Sequence, residues 1–128
     1  MARQRIAIID DNDDNRFVLR TYLQDHNDVI EFSEGQEALR SMKKDIPDLV
    51  FLDISLPGMD GIDVLEQIRA DARLAHLPVF AVTAHAMSGD RERFLRAGFD
   101  GYISKPIDLA KISQAVERSK LRYHQQAC

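Results

Sequence analysis

The sequence has no tryptophan and one cysteine, Cys128, at its last position. A single thiol closes no internal disulfide, and at the chain end it reads as solvent-exposed rather than catalytic. No apolar run approaches the ~18–20 residues needed to span a bilayer. The basic opening Met1-Ala2-Arg3-Gln4-Arg5 leads into an apolar run that stops at Asp10, too short for a signal-peptide core. Positive charge is not in excess: 17 Lys+Arg stand against 21 Asp+Glu, a formal net charge of −4. Such a chain has no general electrostatic pull toward nucleic acid or anionic membranes, so neither is expected as a direct partner. A cytoplasmic location is the corresponding expectation. Linkers rich in Pro, Gly or Ser, internal repeats and low-complexity tracts are also missing. What remains is 128 residues with 45% hydrophobic and 30% charged content. That suits one ordinary domain over 1–128, with a core at about 5–119 and a polar, frayed tail at 120–128.

Ile6-Ala7-Ile8-Ile9, Leu49-Val50-Phe51-Leu52 and Val79-Phe80-Ala81-Val82 are short, continuous apolar runs. Runs without alternation suit strands buried on both faces of a parallel sheet. Val29-Ile30-Glu31-Phe32 and Tyr102-Ile103 are weaker candidates for two more. Between them the spacing is helical. Val18, Leu19, Tyr22 and Leu23 share one face, and Leu109, Ile112 and Val116 share another. Ser33 with Gln36 reads as a capping box for a helix through Ala38, Leu39 and Met42 that Pro47 closes. Asp60 can cap a helix carrying Ile62, Leu65 and Ile68 that ends before Pro78. Ala86 to Ala97 is a polar helix that Gly98 would terminate, loosened by Gly89, which costs about 1 kcal/mol relative to Ala. Five strand–helix alternations predict an α/β fold with a five-stranded parallel sheet and helices on both faces.

The charges that interrupt this pattern are the informative residues. Asp10 and Asp11 follow the first strand, Asp53 and Thr83 follow the third and fourth, and Ser104-Lys105-Pro106 follow the fifth. In an open parallel sheet these positions share the carboxyl edge, where ligands bind. Taken singly, each aspartate reads more readily as a helix N-cap, Thr83 as a turn hydroxyl and Lys105 as a surface charge. Together they fit one chemistry. Three close carboxylates repel unless a cation joins them, and oxygen-only ligands favour a hard ion such as Mg²⁺. Lys105 is then aimed at an anion. A carboxylate beside both is placed to attack phosphorus and form an acyl phosphate, with Thr83 donating to a phosphoryl oxygen.

The segments Ile8-Ile9-Asp10-Asp11-Asn12, Leu52-Asp53-Ile54-Ser55-Leu56-Pro57-Gly58-Met59-Asp60-Gly61, Val82-Thr83-Ala84 and Ser104-Lys105-Pro106 resemble the receiver domain of two-component response regulators. The resemblance covers essentially the whole chain. Asn15 and Thr83-Ala84-His85-Ala86 are similar to the subgroup of phosphorelay receivers and small single-domain regulators. It implies a flavodoxin-like strand order 2-1-3-4-5 and makes Asp53 the phosphoacceptor, fed by a phosphohistidine on a sensor histidine kinase or a histidine phosphotransfer protein. Asp11 and Asp53 would ligate Mg²⁺ directly, Asp10 through water, and Ser55 through its backbone carbonyl. Thr83 and Lys105 would contact the phosphoryl group, across a Lys105–Pro106 bond that the family holds cis. Tyr102 matches the switch position that turns inward with Thr83; taken alone, it reads as a half-buried strand tyrosine. Ser55 and His85 lie where the family varies residues controlling water access to the acyl phosphate.

The expected function is therefore a signalling switch that promotes its own phosphorylation and dephosphorylation rather than a turnover enzyme. Its readout surface would be the face formed by residues 86–97, 101–104 and 108–119, engaging a downstream protein. The chain is expected to be free-standing, the alternative being a receiver excised from a larger hybrid kinase or regulator. An aspartyl-phosphate phosphohydrolase is a rival, but it wants an Asp-x-Asp pattern that Asp10-Asp11-Asn12 lacks. A constitutive binding module that never takes phosphate is another.

Overall fold

In the computed structural model, strand and helix alternate five times: β1 (Gln4–Ile9), α1 (Asp13–Leu23), β2 (Asn27–Phe32), α2 (Gly35–Lys44), β3 (Leu49–Asp53), α3 (Gly61–Ala70), β4 (Val79–Thr83), α4 (Asp90–Ala97), β5 (Gly101–Ser104) and α5 (Leu109–Ala127). The structure describes residues 3–84 and 90–127, with side chains as far as Lys120. His85, Ala86 and Gly89, where the fourth helix was expected to begin, lie outside the described residues, as does Cys128.

The sheet is parallel throughout, in the order β2-β1-β3-β4-β5. Its strands are apolar on both faces because both faces are covered. Ile6, Ile8, Leu49, Phe51 and Val82 pack with Leu19 and Leu23 of α1 and Ile112 and Val116 of α5. Ala7, Ile9, Val50, Leu52 and Ala81 point the other way, against Leu39 and Met42 of α2, Leu65 and Ile68 of α3, and Phe94 of α4. Period-two alternation within each strand thus divides the interior into two clusters separated by the sheet. Each fully buried aliphatic or aromatic side chain contributes roughly 1.5–3 kcal/mol through removal from water. Because β1 lies between β2 and β3, the winding direction reverses there, and a crevice opens at the carboxyl ends of β1 and β3.

Helix ends depart from the sequence expectations in places. Ser33 does not cap α2: the N-cap is Glu34, extended and without a side-chain cap bond. The helix still starts there because Gly35 sits tightly against α3, where a Cβ would lie 2.4 Å from Val64 Cγ2. Packing, rather than a cap, sets that boundary. Val18 and Tyr22 do not share the buried face of α1: they are 41% and 40% exposed, while Leu19 and Leu23 are buried. The apolar stripe is narrower than the sequence suggests. The polar tail after Ser119 is helical in the structure, with α5 running to Ala127. Its residues Lys120 to Gln126 are mostly good helix formers with no Gly or Pro to stop them. Asp60 does cap α3, in a reciprocal box with Asp63. Gly98, at φ 115°, follows the last residue of α4 as the left-handed terminator.

Candidate functional site

Strand registers bring the polar residues together. Ile9 pairs with Leu52, Asp53 with Val82, and Thr83 with Ser104, so Asp10, Asp53, Thr83 and Lys105 end up side by side along one edge. Main-chain bonds fix the approach of each: Asp10 N–H donates to Phe32 O at 3.0 Å, Ile54 N–H to Val82 O at 3.2 Å, and Lys105 N–H to Thr83 O at 2.8 Å. Asp10 and Asp53 are 2% and 4% exposed, and Thr83 is buried beside them. Asp11 stands at the exposed rim.

None of these aspartates serves as a helix cap. Asn12 caps α1, its side chain accepting from Asn15 N–H at 2.9 Å. Asp10 Oδ1 instead accepts from Asn12 N–H at 2.9 Å, and Asp53 Oδ1 from Ser55 N–H at 3.0 Å. These short-range bonds orient the two carboxylates and leave the Oδ2 atoms facing the cleft. Lys105 reaches both: its Nζ donates to Asp53 Oδ2 at 3.3 Å and lies 3.3 Å from Asp10 Oδ2. The Lys105–Pro106 peptide is cis.

The donor set fits a hard divalent cation. Asp10, Asp11 and Asp53 each offer a carboxylate oxygen within 4.8 Å of the others. Among the described residues Asp10 Oδ2 is buried and without a well-aligned hydrogen bond, its ion-pair partner Lys105, at 3.3 Å, being shared with Asp53. A buried carboxylate oxygen left in that state is costly, and a cation with oxygen ligands relieves it. Burial pushes the Asp10 carboxyl above its usual 3.8. The Asn12 N–H opposes that rise, the charge of Asp53 adds to it, and Lys105 opposes it. Ser55 follows in the loop at the same edge, and Tyr102 is half-buried on β5 with its ring 5.8 Å from that of Phe94.

Two arginines passed over in the sequence belong to this architecture. Arg16, one turn into α1, donates from Nη1 to the carbonyl of Asp10 and pairs with Asp13 and Glu31. Arg69, at the end of α3, donates to the carbonyls of Ala75, Leu77 and Gly98 and to Asp100. The first secures the β1–α1 turn; the second ties α3 to the turn after α4. No helix among the described residues is long and apolar enough to cross a membrane.

The family model for the response regulator receiver domain matches residues 6–117. The polar-differentiation response regulator DivK of Brucella ovis is 36% identical over 113 residues, 88% of this chain and 92% of its own length. The receiver domain of a sensor histidine kinase from Pseudomonas aeruginosa, with a magnesium ion coordinated in its active-site cleft, superposes with TM-score 0.83. It is 33% identical and the match covers 91% of this chain and 97% of that one. A putative response regulator from Chloroflexus aurantiacus superposes with TM-score 0.87 at 26% identity, over 92% and 98% of the two chains. With this sheet order, this carboxylate cluster and these relatives, the chain belongs to the response regulator receiver domain family.

Proposed function

We propose that this receiver is a phosphorylation-driven switch in which Asp53 takes a phosphoryl group from a phosphohistidine of a sensor kinase or histidine phosphotransfer protein. The observation that carries this reading is the buried carboxylate of Asp53, held by Ser55 N–H and Lys105 with Asp10 and Asp11 beside it. A carboxylate oxygen of Asp53 attacks phosphorus. The new O–P bond forms as the P–N bond breaks, and the imidazole leaves with a proton from solvent. Little covalent work falls to the protein; positioning and charge stabilisation dominate such transfers. Lys105 pairs with a phosphoryl oxygen, and Thr83 donates a hydrogen bond to another. Asp10, Asp11, Asp53 and the carbonyl of Ser55 would hold Mg²⁺, which offsets the negative charge of the incoming group when bound.

The product adds about −1.5 to −2 charges at a site where Lys105 is already shared between two carboxylates. A binding event shifts an equilibrium only through differential affinity for two states. Thr83 and Tyr102 are the proposed two-state pair, because Tyr102 packs on Phe94 of α4 at the rim of a surface groove of about 430 Å³. Arg91, Leu95, Lys111 and Arg118 border that groove, a basic and partly apolar face suited to a downstream protein. A turnover phosphohydrolase is disfavoured, since the family is that of a signalling switch.

Binding of beryllofluoride with Mg²⁺, followed by amide chemical shifts, tests the reading. Changes should appear at Asp53, Thr83 and Lys105 and also at Leu95, Tyr102 and Lys111; changes confined to the cleft would sink the switching claim. Asp53→Asn should abolish uptake of phosphoryl label from a phosphohistidine donor while leaving the circular dichroism spectrum and melting unimpaired. Equal labelling of the variant would overturn the assignment of Asp53.

A further inference from the structure

We propose that Arg16 is a positioning residue for the cation-binding carboxylates, pinning the carbonyl of Asp10 so that Asp11 is aimed into the cluster. This inference rests on the reading of Asp10, Asp11 and Asp53 as a Mg²⁺ site. The Asp10 backbone is held from both sides: its N–H donates to Phe32 O of β2 at 3.0 Å, and its carbonyl accepts from Arg16 Nη1. That carbonyl belongs to the planar peptide unit leading into Asp11, so its direction fixes the Asp11 Cα and narrows the directions open to the side chain. Asp11 needs such external guidance. It is exposed, and it makes no side-chain hydrogen bond among the described residues, yet its carboxylate lies in the cluster.

Arg16 is itself fixed by its whole fork. Nη2 pairs with Asp13 and Nε lies 3.4 Å from Glu31 Oε1, whose other oxygen accepts from Arg20 Nη1 at 2.6 Å. The Arg16 side chain is only 15% exposed. A planar guanidinium can serve three acceptors in fixed directions, and a lysine ammonium cannot reproduce that geometry. With two carboxylates on it, Arg16 acts through direction rather than as free positive charge.

The sign of the effect on Mg²⁺ separates the two roles. If Arg16 mattered through its charge, Arg16→Gln would strengthen Mg²⁺ binding by removing a cation next to an acidic site, and Arg16→Lys would change nothing. Positioning predicts that both variants bind Mg²⁺ weaker by about 10-fold or more, the usual effect of losing a group that orients a metal ligand. Titration calorimetry with MgCl₂ reads this, with thermal melting in chelator as the control for folding. Should the Arg16 variants fail to fold, Glu31→Gln weakens the support of the guanidinium while keeping it, and a several-fold loss of Mg²⁺ affinity is expected. Unchanged or tighter binding in folded variants, while the wild type binds Mg²⁺, overturns the role of Arg16 alone. A wild type that takes up no Mg²⁺ overturns the reading of the site, and this inference with it.

Discussion

Asp10 shows what the site costs the fold at the level of one residue. Burial disfavours its charged form and Asp53 adds to this, with the Asn12 N–H and Lys105 in opposition. Its folded value therefore lies above the usual 3.8 of an unfolded chain. Between those two values the native state binds more protons than the unfolded one, so stability falls as pH rises through that window and stays lower above it. In metal-free buffer, Asp10→Asn should accordingly melt higher than the wild type at about pH 7, with the difference shrinking toward about pH 3. A melting series across pH checks this, and a difference that grew on acidification would contradict it. Mg²⁺ at ~100-fold over its dissociation constant should stabilise the wild type by about 2.7 kcal/mol by linkage, and chelator should reverse the gain. Asp10, Asp11, Asp53 and Lys105 were legible in the sequence because each sits at or just past the end of an apolar run. Arg16 and Glu31 were not, since only folding shows that one turn of α1 faces back over the β1–α1 turn and toward β2.

The helices divide by what starts them. α3 has a complete capping box, Asp60 Oδ1 accepting from Asp63 N–H at 2.9 Å. Asp60→Ala should cost about 1 kcal/mol, measured by denaturant unfolding. α2 has no such bond, so Ser33→Ala should change stability by less than about 0.5 kcal/mol even though the sequence pattern looks like a cap. The Ser-x-x-Gln signal misleads because helix starts are also set by packing, here of Gly35 on Val64. α1 illustrates the same limit: apolar residues at helical spacing gave a face including Val18 and Tyr22, but the sheet covers only Leu19 and Leu23. Gly61 is constrained by main chain rather than by a side chain. A Cβ there would stand 2.5 Å from Asp53 O and 2.7 Å from Ile54 Cα, both main-chain atoms that cannot rotate aside. Gly61→Ala should destabilise by roughly 1–3 kcal/mol and, with Asp53 in its proposed role, slow phosphoryl uptake, seen as lower initial labelling rates.

The molecule as a whole is two interiors divided by one sheet, and the strands that separate them were readable for that reason. A strand covered on both sides must be apolar throughout, which is why Ile6–Ile9, Leu49–Leu52 and Val79–Val82 were plain in the sequence. Leu65 and Ile112, both at 0% exposure, belong to the clusters on opposite sides. Leu65→Ala and Ile112→Ala should each cost about 2–5 kcal/mol. Sharing no partners, their effects should add within about 0.5 kcal/mol in the double variant, read from urea midpoints at constant slope. Strong non-additivity would mean that the sheet transmits strain between its faces. At Gly61 main chain meets main chain: its N–H donates to Ile54 O at 2.9 Å, and a Cβ there would stand 2.5 Å from Asp53 O. A helix seated on bare main chain works as a rigid bearing. A tilt of the Asp53–Ile54 peptide would therefore press directly on the first turn of α3, with no side chain of Gly61 to absorb it.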